Sequence, residues 1–130
     1  MAEIKGIVSP KELQELNDNY TSRWELITRD ITKQDDNRSS WWSLEDLRAY
    51  LDYAENQAKE LGYTMNGIRV YSGAYPEVDG QPGYTTAFIV PTADIPEGKD
   101  GGGSGNNDIG DADGFNGGGN GKPPGANYPQ

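Results

Sequence analysis

Gly62-Tyr63-Thr64-Met65-Asn66-Gly67-Ile68-Arg69-Val70-Tyr71-Ser72-Gly73 is where the hydrophobic period of the chain changes. Upstream of Gly62 apolar residues recur every three or four positions. Downstream, Ile68, Val70 and Ser72 alternate against Arg69, Tyr71 and Gly73, the two-residue period of a strand with one covered face. Thr86, Phe88 and Val90 alternate in the same way against Thr85, Ala87 and Ile89. Between the two runs, Ala74 to Gly83 holds Pro76, Asp79-Gly80 and Pro82-Gly83, turn chemistry that predicts a long antiparallel hairpin loop.

Before Gly62, Ser43 is a natural helix cap, Glu45 and Asp46 sit where the helix dipole favours acids, and Lys59 and Gly62 mark the end. Leu44, Leu47, Leu51, Ala54, Ala58 and Leu61 make the predicted buried stripe, with Trp42 placed to staple against Leu47. An earlier helix is announced by Ser9-Pro10-Lys11-Glu12, a capping box with proline at the first helical position. Its stripe reads Leu13, Leu16, Tyr20, Trp24, Ile27 and Ile31, with a kink or break expected at Asn17-Asp18-Asn19 and a turn at Asp35-Asp36-Asn37. A lone hairpin is marginal in water, and Ser39 to Trp42 is a candidate third strand. The expected class is α+β: an N-terminal helix or helices, then β-α-β-β, with a small antiparallel sheet packed on helices.

Composition shifts near Pro96. Twelve of the eighteen glycines follow it, and its large apolar residues are only Ile109, Phe115 and Tyr128. Residues 1–95 are therefore read as one domain and residues 96–130 as a disordered Gly-rich tail, too poor in apolar surface to offset the entropy of ordering. Of the net charge of -10, the tail carries five acids less two lysines, or -3, leaving -7 on the folded part.

The segments Trp41 to Leu47, Gly67 to Pro76 and Thr85 to Thr92 resemble a group of small uncharacterised bacterial proteins of Bacteroidota type, which often end in a Gly/Asn/Pro-rich tail. The likeness covers about residues 38 to 92. It implies a folded unit of that size and a bacterial source, and it brings no activity or functional residue with it.

The inventory narrows the chemistry. Without cysteine or histidine there is no thiolate metal site, disulfide or thiol nucleophile, and no imidazole base or ligand. The acidic balance argues against binding nucleic-acid backbones or anionic lipid, and no stretch has the length of a signal core or a membrane span; a cytoplasmic protein is expected. No cofactor pattern is present. Asp108, Asp111 and Asp113-Gly114 suggest a calcium loop, yet the frame that fits an EF-hand puts Ile109 at position one and Asn120 at position twelve, leaving weak binding at best. The alternative readings are a small-ligand or weak calcium-binding protein and a carboxylate-based enzyme, for which Asp35-Asp36 and Glu45-Asp46 are the paired acids on offer. Against these alternatives, three tryptophans and eight tyrosines in so short a chain favour a non-catalytic protein-interaction module, an adaptor, inhibitor or small assembly component. Its expected partner-binding residues are Trp41, Arg69, Tyr71, Tyr75 and Tyr84, with the Tyr75 to Tyr84 loop beside them.

Overall fold

The computed structural model describes residues 4–95, 105–116, 119–120 and 124–130. Helix α1 (Pro10–Ile27) runs into a π-helical turn (Thr28–Thr32), followed by β1 (Ser40–Trp41), α2 (Leu44–Glu60), β2 (Met65–Ala74), β3 (Thr85–Ala93), β4 (Asn107–Asp108) and β5 (Gly119–Asn120). The fold is α+β, as the sequence predicts.

The chemistry that starts and ends α2 is local. The Ser43 hydroxyl accepts the Asp46 N–H at 3.0 Å. At the other end Gly62 takes a φ of +91°, a left-handed conformation that favours glycine. It lets Gly62 N–H donate to Lys59 C=O at 3.0 Å and Tyr63 N–H to Ala58 C=O at 2.8 Å, both bonds of a Schellman cap. The Tyr63 side chain then packs on the cluster around Ala58, which supplies that motif's apolar contact. The buried stripe is Tyr50, Ala54 and Ala58, flanked by Leu47, while Leu44 and Leu61 at its expected ends are exposed.

β2 and β3 form the long antiparallel hairpin, in register from Gly67 opposite Thr92 to Ala74 opposite Thr85. Its tip closes through a bridge between Val78 and Gln81 around Asp79 and Gly80, both at positive φ. Gly83 is required lower in the loop, because a Cβ there would sit 2.1 Å from the Tyr75 carbonyl oxygen.

Two expectations are corrected at the sheet. The third strand is not Ser39 to Trp42: β1 pairs with β5 in a separate two-stranded ribbon, and the sheet order is β2-β3-β4. The predicted tail therefore does not stay off the body over residues 105–116. β4 pairs with Thr92 and Ala93, Ile109 donates to the Pro91 carbonyl, and Phe115 exchanges both backbone bonds with Ile89 at 3.0 and 2.9 Å. Ile109 is 2% exposed in a cluster with Ala58, Ala93 and Ile95; the Phe115 ring stacks on Tyr50 at 4.8 Å. Three apolar side chains in a long segment looked too few, but two of them enter the main core. Residues 96–104, 117–118 and 121–123 fall outside the described residues.

α1 also differs from its reading. It is continuous through Asn17-Asp18-Asn19 and holds no buried residue; Leu13, Leu16 and Ile31 of the predicted stripe are exposed. Polar groups anchor it. Arg38 donates to Thr21 Oγ1 at 3.1 Å and to the Asn17 carbonyl at 2.8 Å, and its guanidinium lies 5.5 Å from the ring centres of both Tyr20 and Trp24. Trp24 Nε1 donates to the Asp36 carbonyl at 2.8 Å, and Gln14 Nε2 to the Tyr128 carbonyl at 3.2 Å. Asp36 is fully buried in what the sequence reads as a simple turn; its carboxylate accepts the Thr85 N–H at 2.7 Å and the Thr85 hydroxyl, while Asn37 donates to the Thr85 carbonyl at 3.0 Å. These bonds tie the end of the helical segment to the first residue of β3.

Two substitutions test this architecture in urea titrations of the full chain. Ile109→Ala is expected to lower unfolding stability by about 2–5 kcal/mol, the cost of a buried large-to-small change, where a free tail would give no effect. Asp36→Ala strands the Thr85 donors and is expected to cost about 1–3 kcal/mol, and Asp36→Asn less, because its amide oxygen still accepts from the backbone.

Candidate interaction surface

α2 covers one side of the sheet through Tyr50, Ala54 and Ile89. By the alternation of strands, Arg69, Tyr71 and Gly73 on β2 and Thr86, Phe88 and Val90 on β3 project to the opposite side. There the Tyr71 and Phe88 rings, directly paired across the strands, stack at 5.3 Å between centres and 20° between planes. Tyr71 is 39% and Phe88 36% exposed. Gly73 makes room for the pair, since a Cβ on it would meet the Phe88 ring at 3.3 Å.

Polar groups fix both flanks. On one, Asp108 of β4 accepts from the Arg69 guanidinium and the Tyr71 hydroxyl, so one carboxylate orients a cation and a phenol at once. The Tyr71 hydroxyl first and the Arg69 guanidinium next hold the Asp108 carboxyl below its ordinary range, and the same hydrogen bond pushes the Tyr71 phenol up. On the other flank Tyr75 Oη lies 3.1 Å from Thr86 Oγ1 and 3.3 Å from Asn116 Oδ1, and Asn116 Nδ2 donates to Thr86 Oγ1 at 2.9 Å and to the Ala87 carbonyl at 2.7 Å. The result is a semi-exposed aromatic pair with fixed polar groups at each end, carried on extended backbone.

Of the five residues the sequence singles out, this face assembles Arg69, Tyr71 and Tyr75. Trp41 is not among them: it is 68% exposed on the separate β1-β5 ribbon. Tyr84 turns its hydroxyl to Gln34 Oε1 at 2.8 Å, at the junction with the helical segment. Phe88, Asp108, Thr86 and Asn116 were missed. Phe88 was legible, because it shares the alternation of Thr86 and Val90; Asp108 and Asn116 reach the face through long-range pairing that no local pattern encodes.

The acidic residues considered for other chemistry are held in different places. Among the described residues no three acidic side chains gather as a cation site would need. Asp108 serves Arg69 and Tyr71, and Asp113 accepts from Tyr53 Oη at 2.6 Å and from Gln57 Nε2 at 3.1 Å. Asp113 and Asp46 border an open depression of about 520 Å³ beside Tyr50, Tyr53 and Phe115. Among the described residues no helix is long and apolar enough to cross a membrane. No family model matches the chain, and no curated protein and no solved structure matches it.

Because Asp108 is depressed in the folded state, its contribution to stability is full above the ordinary carboxylate pKa and is lost as pH falls through its own lower value. Tyr71→Phe removes the leading cause. In a carbon-detected NMR titration, Asp108 is expected to ionise at higher pH in this variant than in the parent; an unchanged midpoint would show that the phenol does not hold the carboxylate.

Proposed function

We propose that the chain is a non-catalytic protein-interaction module, and that the α2-free face of its sheet is the contact surface. The observation that carries the reading is the stacked Tyr71 and Phe88 pair, over a third exposed and held by Asp108 on one side and the Tyr75, Thr86 and Asn116 group on the other. Tyrosine and arginine are enriched among residues that dominate interface energy, and side chains already fixed in place lose little entropy when a partner arrives. Asp108 offsets the Arg69 charge at the edge of this patch, so the face is locally near neutral on a chain of net charge -10. That favours a partner presenting apolar or aromatic surface there, with basic groups at the rim to meet the surrounding acids.

The test is partner capture with the full chain as bait, quantified by mass spectrometry and followed by affinity measurement on what is recovered. Tyr71→Ala and Phe88→Ala are each expected to weaken binding by about 2 kcal/mol, roughly 30-fold in Kd, while Glu55→Ala on the exposed side of α2 leaves it unchanged. Equal capture by all three variants would overturn the assignment of this face.

A further inference from the structure

β2 is an edge of the three-stranded sheet, and its neighbour reveals which of its backbone groups are free. The Pro91 carbonyl accepts from Ile109 at 3.1 Å, and Ile89 spends both main-chain groups on Phe115. Both residues thus turn their backbone polar groups away from β2. Their partners across the ladder are Ile68 and Val70, and opposed residues in an antiparallel pair either bond each other or both face outward. Ile68 and Val70, and by the two-residue repeat Ser72 and Ala74, therefore point N–H and C=O at the open edge. Tyr75, the next residue, donates back to Tyr84 at 3.1 Å, as this alternation requires. Among the described residues nothing bonds to that edge.

Natural edges are usually blunted by proline, lysine, short length or a mid-strand bulge. β2 is ten residues long, has no proline or lysine, and is irregular only at its start, between Met65 and Gly67. Its single charge, Arg69, is tied to Asp108. Beside the outward backbone groups, Ile68 is 42% and Val70 58% exposed: opposite Pro91 and Ile89 they project to the same side as α2, which does not reach far enough to cover them.

We propose that this edge pairs with β2 of a second copy of the chain, antiparallel about a two-fold axis at Val70, to join two three-stranded sheets into one of six. Charge selects the occupant. The chain holds 21 acidic residues and none lies between Met65 and Ala74, so β2 is a strip along which two strongly acidic copies meet without opposing carboxylates. An axis at Val70 sets Ile68 opposite Ser72 of the second copy and brings the two Val70 side chains together. It also sets Arg69 opposite Tyr71 of the second copy, a cation against a ring instead of against another guanidinium. The exposed apolar side chains of both copies then form one strip beside the new ladder. Because the axis is normal to the sheet, both Tyr71 and Phe88 pairs lie on the same side. The pairing does not rest on the proposed function of that face, and it is read out without any partner.

Sedimentation velocity on the full chain from about 10 µM to about 1 mM tests it, alongside Val70→Lys and Val70→Pro. The Val70 N–H points outward, so proline there removes no bond to β3. The parent is expected to shift from monomer to dimer with concentration. Both variants should stay monomeric over that range with the parent's circular dichroism, the association weakened by at least about a hundredfold. In the parent, the amides of Ile68, Val70 and Ser72 should exchange at least about tenfold more slowly at the high concentration, while those of α2 hold their rate. A parent that stays monomeric, a dimer that survives both substitutions, or a dimer in which those three amides exchange unchanged would each overturn the proposal.

Discussion

The structure depends on closing the second edge of β3. A two-stranded hairpin is marginal in water because each strand leaves half of its main-chain groups and one whole face exposed. Ile89 resolves this for β3 by bonding Phe115 through its backbone while its side chain enters the cluster under Tyr50 and Ala54. Phe115 returns to the same cluster by stacking on Tyr50. Backbone pairing and apolar burial are thus satisfied by one contact between segments far apart in sequence, and β3 becomes an interior strand. Pro91 fits that strand for the same reason. Its backbone faces away from β2, where its carbonyl accepts from Ile109 just past β4, and so it removes no donor from the ladder with β2.

The closing segment also builds the candidate site. Asp108 is both a β4 residue and the carboxylate that orients Arg69 and Tyr71; Asn116, one residue after Phe115, fixes the Thr86 and Tyr75 end. The aromatic face owes its rigidity to the same residues that complete the sheet. A loosened closure would leave the Tyr71 and Phe88 rings in place on their strands but free their polar partners, so order in the core and order on the surface are linked.

What was legible in the sequence is what local chemistry specifies. Ser9 and Ser43 cap the helices where expected, Gly62 ends α2 with a complete cap, and the period of two after Gly62 marks β2 and β3. The failures share a cause as well. Helical spacing picked Leu13, Leu16 and Ile31 as a buried stripe, but α1 is held by its polar and aromatic side, and Asn17 survives inside the helix because its carbonyl and its amide oxygen both accept from Arg38. Asp36 read as a turn residue, yet its burial is decided by Thr85, 49 positions away. Periodicity reports which face is apolar; it does not report which face finds a partner.

The glycine-rich stretch shows the same limit from the other side. Averaged composition counts apolar residues against chain length and predicts no order, whereas a sheet edge asks only that a few residues sit at given positions and that the backbone between them come close. Glycine serves the second need. At Gly114 a Cβ would lie 3.0 Å from the Ile89 carbonyl oxygen, the atom that accepts from Phe115 one residue later, and at Gly105 the chain takes a φ of +83° just before β4 begins. The residues that make this segment look unable to fold are those that let it lie against β3, and Ile109, buried, and Phe115, half-buried, hold it by packing on side chains already ordered through α2.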